Sequence, residues 1–203
     1  MNILCRTASR TATLATLAAL ALTGCDSDGD DKTTRTEAQA PAAADGPRVG
    51  AAGSGCELPV TFGLTAGWKP KQVTVEDGDP LAALAKKGPF TMACEIDAKP
   101  AGNIGFLRVW TGAGADLEAG LSGFAGAGAQ QAKFTETQVG GKPALEVEYQ
   151  QKSELDDSLE QERAFAVDTG RGLVVVSLDG LDNEEQKEML PAYELARTSL
   201  TVS

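Results

Sequence analysis

The chain contains no histidine, and this absence alone excludes several chemistries. Ser-His-Asp and Cys-His nucleophile pairs, imidazole general bases and His-ligated metals all require that residue. Aromatic residues make up only 5% of the 203 positions, so a platform for stacking on sugars would have to come from Trp68 and Trp110. Cysteines occur only at positions 5, 25, 56 and 94, and two Cys without His furnish no zinc tetrahedron unless carboxylates complete it. The Gly-rich piece Thr111-Gly112-Ala113-Gly114 lacks the Lys and Ser/Thr of a phosphate loop. After the opening segment no run approaches the 18 consecutive apolar residues of a spanning helix.

What is present begins at the N-terminus. Arg6 and Arg10 supply positive charge, no acidic residue precedes Asp26, and Ala12 to Leu22 is built from Ala, Leu and Thr. That stretch has the length of a signal-peptide core and is too short to cross a bilayer. It ends in Leu22-Thr23-Gly24-Cys25, which resembles the lipobox of bacterial lipoproteins. The resemblance implies that residues 1–24 are a signal peptide removed on export. It also implies that Cys25 becomes a lipidated N-terminus, carrying a diacylglyceryl group with palmitate-type chains. The protein would then be lipid-anchored on the extracytoplasmic face of the cell membrane. Two chains suffice for a stable anchor, at about 0.8 kcal/mol per buried methylene. The alternative is an ordinary secretory signal cleaved at a small residue.

With Cys5 removed and Cys25 lipidated, Cys56 and Cys94 remain. Outside the cytoplasm an even pair reads as a disulfide bond, with two free buried thiols as the alternative. Cys94 lies in the strand-like run 90–96, where simple alternation places it on one face with Phe90, Met92 and Ile96. Residues 25–55 read as the lipidated Cys and a disordered linker: Asp, Gly, Thr, Ala and Pro dominate, and Val49 is the single large apolar residue. As a flexible coil this linker would span about 30 Å. Asp26, Asp28, Asp30 and Glu37 match an EF-hand count, but Asp31 stands where the loop needs Gly, so no metal site is expected.

Residues 56–203 read as a single α+β domain. Strands are expected at 59–64, 72–76, 90–96 and 104–110. Asp79-Pro80 opens a short helix with Leu81 and Leu84 as its apolar stripe. A second helix covers 116–124 within a mobile Gly- and Ala-rich stretch, 112–129. Gly140-Gly141 joins strands 133–139 and 144–150 as a hairpin, and residues 168–172 join 161–167 to 173–178. Asp182 and Glu185 cap a closing helix that Pro191 breaks or restarts, and Leu200 and Val202 add a last strand. The sum is an antiparallel sheet with helices packed on it, a sheet-and-helix sandwich. Val60-Thr61-Phe62 leading into Gly67-Trp68, the paired hairpins and the ending 196–202 resemble the PsbP-like fold. That resemblance implies a binding or scaffolding role and carries over no catalytic residue, and no cofactor is expected.

Carboxylates are the remaining catalytic currency. Glu154, Asp156, Asp157, Glu160 and Glu162 cluster between two strands. A glycosidase needs two facing carboxyls, one of them desolvated, whereas a polar turn leaves such groups solvated. A cation-binding loop is a further reading of this cluster. Net charge is −11 for the full chain, which disfavours nucleic acid and anionic headgroups as ligands and leaves a cell-envelope protein, a cation or a neutral glycan. The expected function is therefore a membrane-anchored, non-catalytic binding or scaffolding lipoprotein, not an enzyme. The alternative is a carboxylate-based hydrolase acting on envelope glycans.

Overall fold

The computed structural model describes residues 46–76, 78, 82–153 and 156–203. The signal segment, Cys25, the Asp26–Glu37 pattern, Asp79-Pro80-Leu81 and Glu154 lie outside the described residues.

The domain is mostly antiparallel sheet with two α-helices. In chain order the elements are β1 (Arg48–Val49), β2 (Val60–Gly63), β3 (Lys69–Gln72), a 3-10 turn (Ala82–Ala85), β4 (Lys86–Lys87), β5 (Phe90–Asp97) and β6 (Phe106–Gly112). Then come α1 (Leu117–Ala125), β7 (Gln130–Val139), β8 (Lys142–Lys152), β9 (Leu159–Asp168), β10 (Leu173–Asp179), α2 (Asn183–Ser199) and β11 (Thr201–Val202). The main sheet runs β3-β5-β6-β10-β9-β8-β7, with β4 laid against β5, and a small sheet runs β1-β2-β11.

Both faces of the main sheet are buried at its centre, which explains why β10 reads as the continuous apolar run Leu173 to Val176. Val174, Val176 and Leu178 join Phe165 and Val167 of β9 in a core shared with Met189, Tyr193 and Ala196 of α2 and with Val60 and Phe62 of β2. Leu173 and Val175 point the other way, into a core with Ala164, Ala166, Val147 and Tyr149, covered by Leu121 and Phe124 of α1. The helix α1 can lie this close because Gly120 and Gly123 carry no side chain. A Cβ at Gly120 would stand 2.6 Å from Leu173 Cδ1, and one at Gly123 3.1 Å from Pro89 Cδ.

Several expectations are corrected. The pairing of β5 with β6 slips between Met92 and Cys94, so a bulge at Ala93 exchanges the faces. Phe90 and Met92 enter the α1-side core, while Cys94 and Ile96 enter the α2-side core. Cys94 is bonded there to Cys56, with Cα atoms 5.9 Å apart. The strand expected at 72–76 instead occupies Lys69–Gln72; it is an edge strand, where Pro70 leaves no ladder bond unmade. The segment at 82–85 is a single 3-10 turn, and it is Ala85 that is buried, with Leu84 pointing to solvent. Pro191 does not interrupt α2, because Met189, Ala192 and Tyr193 bury the same stretch and hold the helix through it. The expected boundary at Cys56 also falls late: Arg48 and Val49 pair with Gly63 and Phe62, and Val49 is wholly buried. The helix expected at 116–124 is present as α1, capped by the Asp116 side chain on Ala119 N.

Candidate functional site

On the α1 face the apolar core gives way to a row of polar side chains drawn from five strands. The period of two along each strand aims them at the same side. Glu95 follows Cys94 on β5, Arg108 precedes Trp110 by two on β6, Ser177 and Asp179 follow Val175 on β10, and Glu162 precedes Ala164 by two on β9. Tyr149 stands directly opposite Glu162 in the β8–β9 register. From β4, Lys87 reaches over them and donates to Tyr149 Oη at 3.1 Å. Its ammonium sits 4.6 Å from the Phe124 ring centroid and 5.8 Å from that of Tyr149, so two aromatic faces stabilise the cation.

A chain of contacts links the rest. Trp110 Nε1 donates to Ser177 Oγ at 3.0 Å, and Ser177 donates to Asp179 Oδ2 at 2.8 Å. Arg108 pairs with Glu95 Oε2 at 3.0 Å and with Asp179 Oδ1 at 3.6 Å. Above this floor, the turn 82–85 and residues 73–75 wall a groove of about 680 Å³ that also reaches Met92 and Lys87. The groove is apolar along its walls and ion-paired at its base.

The charges are set by burial. Desolvation first, and then the Asp179 carboxylate, push Glu162 from 4.5 up to about 8, against the pull of Lys87. Glu162 therefore carries its proton at neutral pH. Burial works against the Lys87 ammonium, but Tyr149, Asp179 and Glu162 outweigh it and raise that group. Burial likewise raises the Tyr149 phenol, with Lys87 opposing. Lys87 and Tyr149 both stay protonated near neutral pH, so neither is poised as a nucleophile or a base. Among the described residues no three Cys, Asp or Glu gather as a metal centre would require.

Of the described members of the acidic cluster singled out in the sequence, Glu162 belongs to this row, with Glu160 two residues before it on the same face of β9. Asp156 lies exposed in the turn, where the Ser158 hydroxyl and backbone lower its pKa, and Asp157 pairs with Lys152 at 2.7 Å. Trp68 and Trp110 are both buried, in different cores, and form no joint stacking surface. Lys87, Tyr149, Arg108 and Asp179 were not legible as a group because the sheet alone brings them together. A second polar cluster on the α2 face is already saturated: Arg163 contacts Glu146, Glu148 and Glu194, and Tyr193 donates to Glu146 at 2.9 Å.

These features define an antiparallel-sheet domain with a groove whose Lys87 ammonium is held protonated, and among its described residues no helix is long and apolar enough to cross a membrane. The chain belongs to a family described as uncharacterised lipoprotein, whose profile matches residues 26–200. None of the curated proteins matches it. Its fold is similar to the solution structure of cyanobacterial PsbP (CyanoP) from Synechocystis sp. PCC 6803, at 15% identity over 77% of this chain and 92% of that chain, with a TM-score of 0.49.

Proposed function

We propose that this lipoprotein is anchored through Cys25 on the extracytoplasmic face of the cell membrane and presents a non-catalytic binding or scaffolding domain. The observation that carries the reading is positional. The family match begins at residue 26, immediately after the Leu22-Thr23-Gly24-Cys25 segment. Residues 1–24 are then the signal peptide, and the spacer after Cys25 ends before β1 instead of at Cys56. The buried Cys56–Cys94 bond fits oxidising surroundings. A binding role is favoured over turnover because Lys87 and Tyr149 are bonded to each other and neither is activated as a nucleophile or base. Glu162 has the raised pKa of a general acid, but its neighbour Asp179 is committed to Arg108 and Ser177.

The test is labelling with a palmitate analogue in the native host, combined with protease added to intact cells. The wild type takes up label, fractionates with membranes and is digested from outside. Cys25→Ser takes up none and leaves the membrane fraction. Label retained by Cys25→Ser, or a wild-type protein shielded from external protease, contradicts the reading.

A further inference from the structure

Among the described residues, four large apolar side chains are strongly exposed: Leu84 (73%), Ile104 (51%), Leu181 (48%) and Leu159 (41%). Leu84 stands at the groove rim on the 3-10 turn. The other three, from two connections and the first residue of β9, meet at one place, the first turns of α2. Ile104 N and Leu181 N both donate to the Glu185 carboxylate, the latter at 2.6 Å. Leu159 O accepts from Asn183 Nδ2 at 3.0 Å, and Gln161 N donates to Asn183 Oδ1 at 2.6 Å. Gln186 completes the tie, with Nε2 on Gln161 O and Leu178 O and Oε1 on Gly180 N. Side chains of α2 therefore pin the three backbones together, while the apolar side chains of Ile104, Leu159 and Leu181 stay in solvent.

A patch fixed this way is preorganised, and ordering costs for a partner are correspondingly low. Its surroundings select the partner. Asp182, Glu184 and Glu188 are exposed around it, with Glu185 at its edge, against Lys99 and Lys187. A second copy of this chain would bring acidic rim against acidic rim, and an anionic lipid surface would be repelled in the same way. We propose that Ile104, Leu159 and Leu181 form a docking surface for a protein segment that presents apolar side chains flanked by Lys or Arg. It lies apart from the Lys87 groove and does not depend on catalysis or its absence.

The probe is a synthetic amphipathic helical peptide of Leu and Lys, compared with an equally charged peptide in which Ser replaces Leu. The lipidated full chain is held in phosphatidylcholine nanodiscs. Amide exchange protection on adding the Leu/Lys peptide is expected at 103–105, 159–161 and 180–188. Substituting Ile104→Ser together with Leu181→Ser should weaken binding by about tenfold or more, the scale of two exposed aliphatic side chains losing their burial. Leu84→Ser should leave it within about twofold, and the Ser peptide should bind much more weakly. Equal binding of the Ser peptide, or indifference to the double substitution, overturns the proposal. So does protection centred elsewhere. A patch-dependent dimer in sedimentation, or patch-dependent binding to phosphatidylglycerol vesicles, would assign the surface to a second copy or to the membrane and overturn it equally.

Discussion

Replacing Glu162 by Gln tests the electrostatics of the polar row. The carboxyl is raised from 4.5 to about 8 by burial first and the Asp179 charge second. A group whose folded pKa lies above its unfolded value binds its proton more tightly in the native state. Its contribution is fully present below about pH 4.5 and is lost as pH rises toward 8. The full difference corresponds to roughly 5 kcal/mol at about 1.4 kcal/mol per pH unit. Glu162 is partly exposed, and solvent screening reduces the expected effect to about 2–4 kcal/mol. The amide introduced by Glu162→Gln is neutral at every pH and carries no such slope. Urea unfolding of both proteins at pH 5, 6.5 and 8 reads the difference directly, since all other titrating groups are common to the pair. Glu162→Gln should match the wild type at pH 5 and exceed it by about 2–4 kcal/mol at pH 8. Parallel pH profiles for the two proteins would show that Glu162 does not titrate with a raised pKa. Asp179→Asn, which removes the second cause, should shrink the wild-type slope without abolishing it.

Other perturbations separate packing from backbone effects. Gly88 has φ +57°, and a Cβ there would run into the carbonyl oxygen of Gly123 in α1, so Gly88→Ala should lower stability by about 2–4 kcal/mol. Gly114→Ala, at φ +105° with open space around it, should cost only about 1 kcal/mol by the same denaturation assay. Pro191 is exposed inside α2 and deprives one carbonyl of its helical donor; Pro191→Ala should stabilise by about 1–3 kcal/mol, seen as a raised Tm. Cys56 and Cys94 close a loop with a sequence separation of 38. The double Cys→Ala variant should lose about 4 kcal/mol in the chain-entropy model, measured by urea midpoint.

The elements fixed by local chemistry were legible from the sequence. Gly140 and Gly141 both have positive φ, as the β7–β8 turn requires. Asp182 caps the closing helix as expected, although Glu185 turns to Leu181 N and Ile104 N instead of completing the capping box. What escaped depended on partners distant in sequence. The bulge at Ala93 follows from how β5 meets β6, and alternation alone assigns Cys94 to the wrong face. Pro191 would stop an isolated helix, yet burial of Met189 and Tyr193 carries α2 past it. Val49 was visible as a lone large apolar residue in polar surroundings, a signal that the folded region starts before Cys56. The polar row was the least legible. Its residues come from β4, β5, β6, β8, β9 and β10, and Glu162 drew notice only as a member of an acidic cluster that the fold splits between strand and turn.

If Cys25 is the modified first residue of the mature protein, intact mass spectrometry of the protein extracted from its native membrane will show it. The predicted result is a chain beginning at Cys25, heavier than its sequence by a diacylglyceryl group and lighter by two hydrogens for the Cys56–Cys94 bond. A chain that retains Met1 and an unmodified Cys25 would contradict it.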